Sequence, residues 1–469
     1  MAAFPPELIK NIAEQGTHQE TKALRLVCHT YAALLQATAL RKFTIHLDRE
    51  RYHLNPSRLE FRFRALEWLA AEAETDTHPG SRLTTELVID EIFLNDNEHA
   101  RLGVCLGPAI RALKSVTKVY WETDSGPNST SDALKQHYST ITQSLTPRLS
   151  FLTSLKMGAH RFSRDAANLT LLRPTGSASP PSFPNLNTLY LWNIDRSSRR
   201  DLDTVGQTVC VAPRICDLNV SLRMRSIRAF EASNRYTSPI PIQTFLPPPP
   251  PLIADNNNTA TLTVQTLTLS TESRFINSTS PTLPHLPHLQ CLTLHIGCTQ
   301  HPLPLETTSK PAIYKHTVWD ALKESGIKLR RLDTDDLCPS LIRYLSAYGG
   351  VLEVLAISHH ISAQTINGSN IQTNASTMEL LSGVAREFFN AALPLHAASL
   401  THLSLNVNHE WWGTWWFGPG MVLAKSFPQP NCVFAKLEEL GMAVMLPIAE
   451  ERLGGGALDG EDTDYLVSL

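Results

Sequence analysis

One spacing recurs along most of this chain: an apolar residue, two others, a Leu-like residue, two others, a second Leu-like residue, one other, and a closing apolar residue. It reads Leu149-Leu152-Leu155-Met157, Phe183-Leu186-Leu189-Leu191, Leu286-Leu289-Leu292-Leu294 and Phe434-Leu437-Leu440-Met442. Partial copies are Leu113-Val116-Val119-Trp121, Ile215-Leu218-Val220, Val264-Leu267-Leu269, Leu329-Leu332, Leu352-Leu355-Ile357 and Leu400-Leu403-Leu405, with Leu87-Ile89 read as the first. The period-2 ending predicts a short strand whose alternate side chains enter a core. A single such strand cannot bury its apolar face alone, so the copies must stack on one another. The expected fold class is therefore α/β, with parallel strands joined by helical or irregular returns.

The third position of the copies falls at 119, 155, 189 and 218, in steps of 36, 34 and 29. Later steps are 25, from 267 to 292, and 23, from 332 to 355. Two longer steps, 218 to 267 and 355 to 403, contain Pro247 to Pro251 with Asn256 to Asn258, and the polar stretch Ser362 to Thr377. Each is read as a missed repeat or a loop insertion, for ten or eleven repeats in all. Return helices are expected at 61–73, with Phe63, Leu66, Leu69 and Ala70 inward, at 320–325 before a Gly326 cap, and at 378–392.

Composition agrees with a punctuated chain. The 469 residues contain 31 prolines against 22 glycines, and proline breaks helices and central strands, so elements must be short. The net charge of −3 gives no bulk reason to bind nucleic acid or an anionic membrane. No apolar run is long enough for a membrane span, and the first residues lack a signal-peptide pattern. The eight cysteines include no Cys-X-X-Cys, and they are expected as reduced, buried small hydrophobes. Cytoplasm, nucleus or both is the expected location.

The first 47 residues differ. Residues 4–12 predict a short helix opened by Pro5 and Pro6, with Leu8, Ile9 and Ile12 on one face. A longer helix from Thr21 carries Leu24, Val27, Cys28, Tyr31, Leu34 and Leu35 at helical spacing. Two helices of this size cannot bury these groups by themselves, so the segment either docks on the rest of the chain or presents an apolar groove to another protein.

Phe4-Pro5-Pro6-Glu7-Leu8-Ile9, followed by Leu24-Arg25-Leu26-Val27-Cys28, Tyr31, Leu34, Leu40 and Phe43, resembles an F-box, with Phe4 and Tyr31 where the family has Leu and usually Trp. The repeats resemble leucine-rich repeats. The stretch from Phe388-Phe389 through Leu393-Pro394-Leu395-His396-Ala397 to Ser399-Leu400 is similar to the C-terminal repeats of F-box proteins of mushroom-forming fungi. The resemblance implies a helical F-box over 1–47, a connecting helix and linker over 48–79, an irregular leucine-rich-repeat solenoid with a parallel concave sheet over 80–446, and an acidic flexible tail over 447–469. It also implies a non-catalytic substrate-recognition subunit of an SCF-type ubiquitin ligase, in which Pro5, Leu8, Ile9, Ile12, Leu24, Val27, Cys28 and Tyr31 contact a Skp-family adaptor, a cullin completes the complex, and the repeats hold a protein target. The alternative is a repeat scaffold with no ligase role, its helical start serving as a cap.

Trp411, Trp412, Trp415 and Trp416 form a second candidate, either a target-docking surface or the core of a terminal repeat. The arginines at 196, 199, 200, 223, 225 and 228 are read as surface charge or as an acidic-motif reader. No hydrolase, phosphate-loop, dinucleotide or metalloprotease motif occurs, and His359-His360 lacks further ligands. No catalytic residue, metal or cofactor is expected.

Overall fold

The computed structural model describes residues 20, 29–49, 52, 55–73, 79–122, 132–158, 171–172, 182–195, 198–223, 240–241, 246, 262–271, 276–277, 286–295, 318–360, 383–408, 434–443 and 466–468. The chain forms two compact units, Met1–Asp217 and Leu218–Leu469. Both are α/β.

In the first unit, helix α1 (His29–Leu40) leads into β1 (Lys42–Asp48), followed by α2 (Pro56–Glu72), α3 (Pro79–Leu83), β2 (Glu86–Phe93), α4 (Asp96–Ala112), β3 (Lys118–Trp121), α5 (Asp132–Leu145), β4 (Ser154–Gly158), β5 (Thr188–Asp195) and α6 (Arg199–Cys210). Strands β1 to β5 pair in chain order, each parallel to the next. The second unit holds most of β6 (Asp217–Arg223), then β7 (Ile240–Pro241), β8 (Thr266–Thr271), β9 (Ile276–Asn277), β10 (Cys291–His295), α7 (Val318–Glu324), β11 (Arg331–Thr334), α8 (Pro339–Leu345), β12 (Val354–His360), α9 (Leu393–His396), β13 (His402–Asn408), β14 (Glu439–Ala443) and β15 (Leu466–Ser468). Strands β8, β10, β11, β12, β13 and β14 are parallel neighbours, while β7 pairs with β9.

All eleven expected copies coincide with strands, and within each unit the paired Leu positions fall in shared rows. Leu87, Val119, Leu155 and Leu189 are register partners, as are Ile89, Trp121, Met157 and Leu191. Every one of these is buried. The same holds for Leu267, Leu292, Leu332, Leu355 and Leu403 in the second unit.

The first half of the spacing has its own cause. The N–H of the fourth residue donates to the carbonyl of the first, at 3.4 Å for Val116 to Leu113, 3.3 Å for Leu152 to Leu149, 3.3 Å for Leu186 to Phe183 and 3.1 Å for Leu289 to Leu286. Apolar-x-x-Leu is thus a closed turn that puts two apolar side chains into the core just before the strand. Pro184, Pro213 and Pro287 stand second in such turns, where their fixed φ is the one required. A carbonyl ladder then locks repeat to repeat: Thr117 O accepts from the N–H groups of both Thr153 and Ser154, Thr153 O from Asn187 and Thr188, and Asn187 O from Cys216 and Asp217. Gln290 O, Arg330 O and Glu353 O serve the next copies in the same way.

Four expectations change. The sheet begins one strand earlier than Leu87-Ile89: Phe43 pairs with Leu87 and Ile45 with Ile89, so the last residues of the expected helical segment belong to β1. The long step from 355 to 403 is an insertion and not a missed repeat, because β12 and β13 pair directly. The expected flexible tail contains β15, which pairs antiparallel with β14. Among the described cysteines, all unpaired, Cys105 is buried whereas Cys210, Cys216, Cys291 and Cys338 are half-buried: Cys216 and Cys291 alternate with the Leu rows, Cys210 ends helix α6 and Cys338 precedes helix α8.

The return helices form where expected, with shifted ends. Helix α2 starts at Pro56 and buries Leu59, Phe63, Leu66 and Leu69, while Ala70 is half-buried. Helix α4, absent from the expected returns, opens with a reciprocal cap: Asn95 Oδ1 accepts from Glu98 N–H and Glu98 Oε2 accepts from Asn95 N–H. Gly326, at φ 65°, ends the α7 segment. The helix over 383–387 widens to a π-turn at Phe388–Ala392 before Pro394, which has no N–H to continue the α pattern. Phe388 and Phe389 are buried there. Among the described residues no helix is long and apolar enough to cross a membrane.

Candidate interaction surface

Strand alternation that buries the Leu rows turns the intervening residues to the opposite side of the sheet. In the first unit those rows read Lys42, Glu86, Lys118, Ser154 and Thr188, then Thr44, Val88, Tyr120, Lys156 and Tyr190; alternation places His46, Asp90, Glu122, Gly158 and Trp192 on the same face beyond them, Gly158 and Trp192 in register. Most are half-buried or exposed, which is the accessibility of a face presented to solvent.

Three aromatic side chains gather on it. The rings of Tyr120 and Trp192 lie 5.3 Å apart at 33°. The Lys156 ammonium sits 4.2 Å from the centre of the Tyr190 ring, a cation–π contact. The hydroxyl of Tyr120 donates to Glu122 Oε2 at 2.6 Å, and that of Tyr190 to Asp217 Oδ2 at 2.6 Å. Burial, then the Glu122 and Asp90 carboxylates, hold the Tyr120 hydroxyl protonated well above its ordinary range. The hydrogen bond to Asp217, then burial, pushes Tyr190 up to about 12.

Gly158 makes room for Trp192. A Cβ added at Gly158 would collide with the indole, so the ring passes over the bare backbone of β4 on its way from β5 towards Tyr120 on β3. Asn193, directly after Trp192, has φ 58°, the one positive φ outside glycine among the described residues. Its left-handed conformation kinks β5 just where the indole leaves the sheet, while Ile194 still enters the core.

The corresponding side in the second unit is smaller and more polar, with Thr268, Thr293, Asp333, Ala356 and Ser404 in register. His295 Nε2 lies 3.1 Å from Asp333 Oδ1, and that partner, against the opposing effect of burial, raises the imidazole pKa.

Two buried polar groups are structural. His99 Nδ1 and His137 Nε2 are 3.0 Å apart between α4 and α5, and burial, with His99 beside it, lowers His137 to about 4. Trp319 Nε1–H donates to Asp336 at 2.7 Å, and burial raises the Asp336 carboxyl. The neighbouring Cys338 thiol is pushed far up by burial and by Asp336, which leaves it without thiolate character. Among the described residues no group of three or more His, Cys, Asp or Glu side chains could hold a metal ion.

The expected adaptor residues Pro5, Leu8, Ile9, Ile12, Leu24, Val27 and Cys28 lie outside the described residues; Tyr31 is in α1, with only its backbone described. Trp411, Trp412, Trp415 and Trp416 also lie outside them, as do Arg196, Arg225 and Arg228. Arg199 and Arg200 are exposed at the start of α6, where Arg199 pairs with Asp203. The Tyr120–Tyr190–Trp192 cluster was not among the expected sites, although the alternation Leu189-Tyr190-Leu191-Trp192 already assigns two of its aromatics to the face opposite the leucines. A comparison with protein-family models finds no matching family, and a comparison with curated proteins finds no significant match.

Proposed function

We propose that this chain is a non-catalytic recognition subunit that holds a protein target on the open side of its sheet and, through its N-terminal segment, joins a Skp-family adaptor and a cullin in an SCF-type ubiquitin ligase. The observation that carries the target-binding half is the two-faced sheet: leucine rows are buried on one side, and an aromatic and charged cluster remains accessible on the other. Aromatic anchors on a rigid surface are the usual source of protein-binding energy. The adaptor half rests on the F-box-like residues from Phe4 to Tyr31. The reading also takes the parallel, chain-ordered strands as leucine-rich repeats of a solenoid. Catalysis would be by proximity, the target being held at high effective concentration beside the charged ubiquitin carrier.

Affinity purification of the full chain beside a Leu8→Asp, Val27→Asp double variant tests this. Adaptor and cullin should accompany the wild type and be lost from the variant, while target proteins are retained by both. Soluble wild type that brings down neither ligase component rejects the ligase role.

A scaffold reading without ligase function is favoured by one observation. Leu35 and Ala39, late in the motif helix, are buried in the first unit, and Phe43 of the motif belongs to β1. A helix committed to the sheet in this way serves as a cap. The same purification separates the two readings.

A further inference from the structure

The sheet face of the first unit carries a row that its lysines do not enter. Lys42, Lys118 and Lys156 stand in the two rows nearer the start of the strands, where Lys42 is 3.6 Å from Glu86 and Lys156 is placed on Tyr190. Beyond them, strand alternation turns His46, Asp90, Glu122, Gly158 and Trp192 to the same face, with His46 bonded to Asp90 and Gly158 in register with Trp192. It sets Glu122, bonded to Tyr120, near an indole that lies across the backbone at Gly158, one ring face towards the sheet and the other away from it, with Asp90 one strand further out.

Each carboxylate has capacity left. Glu122 accepts the Tyr120 hydroxyl and Asp90 contacts His46 Nδ1 at 2.9 Å, and a carboxylate offers about four acceptor positions. His46, the row's other titratable group, is buried under Tyr52, whose ring is 5.6 Å away and edge-on. The accessible part of the row is therefore an aromatic plate with a negative edge. The neighbouring Tyr190 ring already holds a cation from this chain.

We propose that Trp192 and Glu122, with the Asp90 carboxylate adding negative charge from the next strand, form the anchor site for an arginine side chain of an extended partner segment. A guanidinium is planar, stacks on an indole, and at the same time donates in its own plane to carboxylates. A lysine ammonium can do the second but stacks poorly, and a neutral side chain has no use for the two carboxylates. An extended segment fits because the strands keep successive rows about 7 Å apart, the distance between alternate residues of an extended chain. This site deepens the target-binding half of the proposed function and is independent of the adaptor half.

The test uses the full-length chain and fluorescein-labelled nine-residue peptides identical except at the central position, which is Arg, Lys, citrulline or Leu. Fluorescence anisotropy is read at about 50 and 300 mM salt. The Arg peptide should bind most tightly, about tenfold better than citrulline, with affinity falling as salt rises. Trp192→Ala and Glu122→Gln should each abolish most of that preference while far-UV circular dichroism stays unchanged. If Trp192→Ala perturbs the fold, the near-isosteric Glu122→Gln and an Asp90→Asn variant decide the outcome. Equal binding of the Arg and citrulline peptides, no binding of any of them, or an Arg preference that survives Glu122→Gln and Asp90→Asn overturns the proposal. The same outcome follows if a neutral oligosaccharide, another kind of ligand that stacks on an indole, binds in place of the peptides. Failure here leaves co-purification with adaptor and cullin unaffected, so the two readings fail separately.

Discussion

Trp192 lies over Gly158, and the close approach is possible only because position 158 has no side chain. A methyl group there must lift the indole from the sheet. Gly158→Ala is expected to cost about 1 kcal/mol through overpacking. It should lower binding of the Arg peptide as much as Trp192→Ala does. Near-UV circular dichroism with a urea titration checks the first, and anisotropy the second. An unchanged near-UV spectrum would show that the indole never rested there.

The paired imidazoles of His99 and His137 make the first unit sensitive to acid. Burial lowers both groups in the folded chain, His137 to about 4, while an unfolded histidine titrates near 6.5. The unfolded state then binds more protons, so stability is complete above about pH 6.5 and declines as pH falls towards 4, by on the order of 2–3 kcal/mol. Asp96 and Glu98 on α4 partly offset this at His99. Urea midpoints between pH 7.5 and 4.5 should show the decline, and His137→Phe should flatten it. A wild-type profile that is already flat over this range rejects the pairing.

Adjacent residues of β4 should respond very unequally to alanine. Leu155 is fully buried between Val119 and Leu189, so Leu155→Ala should cost about 2–5 kcal/mol. Lys156→Ala removes only the contact with the Tyr190 ring and should cost about 0.5–1 kcal/mol. Comparable losses at both positions in chemical denaturation would mean that the sheet is covered on both sides.

Pro184 and Pro287 occupy the second position of equivalent turns and are exposed. Replacing either by alanine removes no core contact but frees the unfolded chain, at about 0.4–1 kcal/mol each. The two losses should add, because the sites are far apart in sequence and lie in different units. Thermal melts of the single and double variants measure this, and a strongly non-additive double variant would exclude a purely local effect.

The repeating core was readable because it is written as spacing. Each Leu needs the same partner one repeat away, so within each unit the copies align in sequence as they do in register. Strand β1 was missed for a physical reason. Its Ala37-x-x-Leu40-x-x-Phe43-x-Ile45 has the same spacing, but Ala37 and Leu40 end a helix instead of forming the turn that introduces the other strands. The interaction surface was hidden for another. Tyr120 with Glu122, Lys156 and Trp192 come from three segments far apart in sequence that share no motif, and only parallel pairing in register brings them together.

Spacing, turn prolines and burial alternation, all local properties of the chain, determined by themselves that this protein builds parallel strands with one apolar side. Which open-face residues meet was decided only by the tertiary structure. That outcome depends on the lateral register of separate repeats, on the missing side chain at Gly158 and on the kink at Asn193, and none of these has an energetic consequence until neighbouring strands are in place.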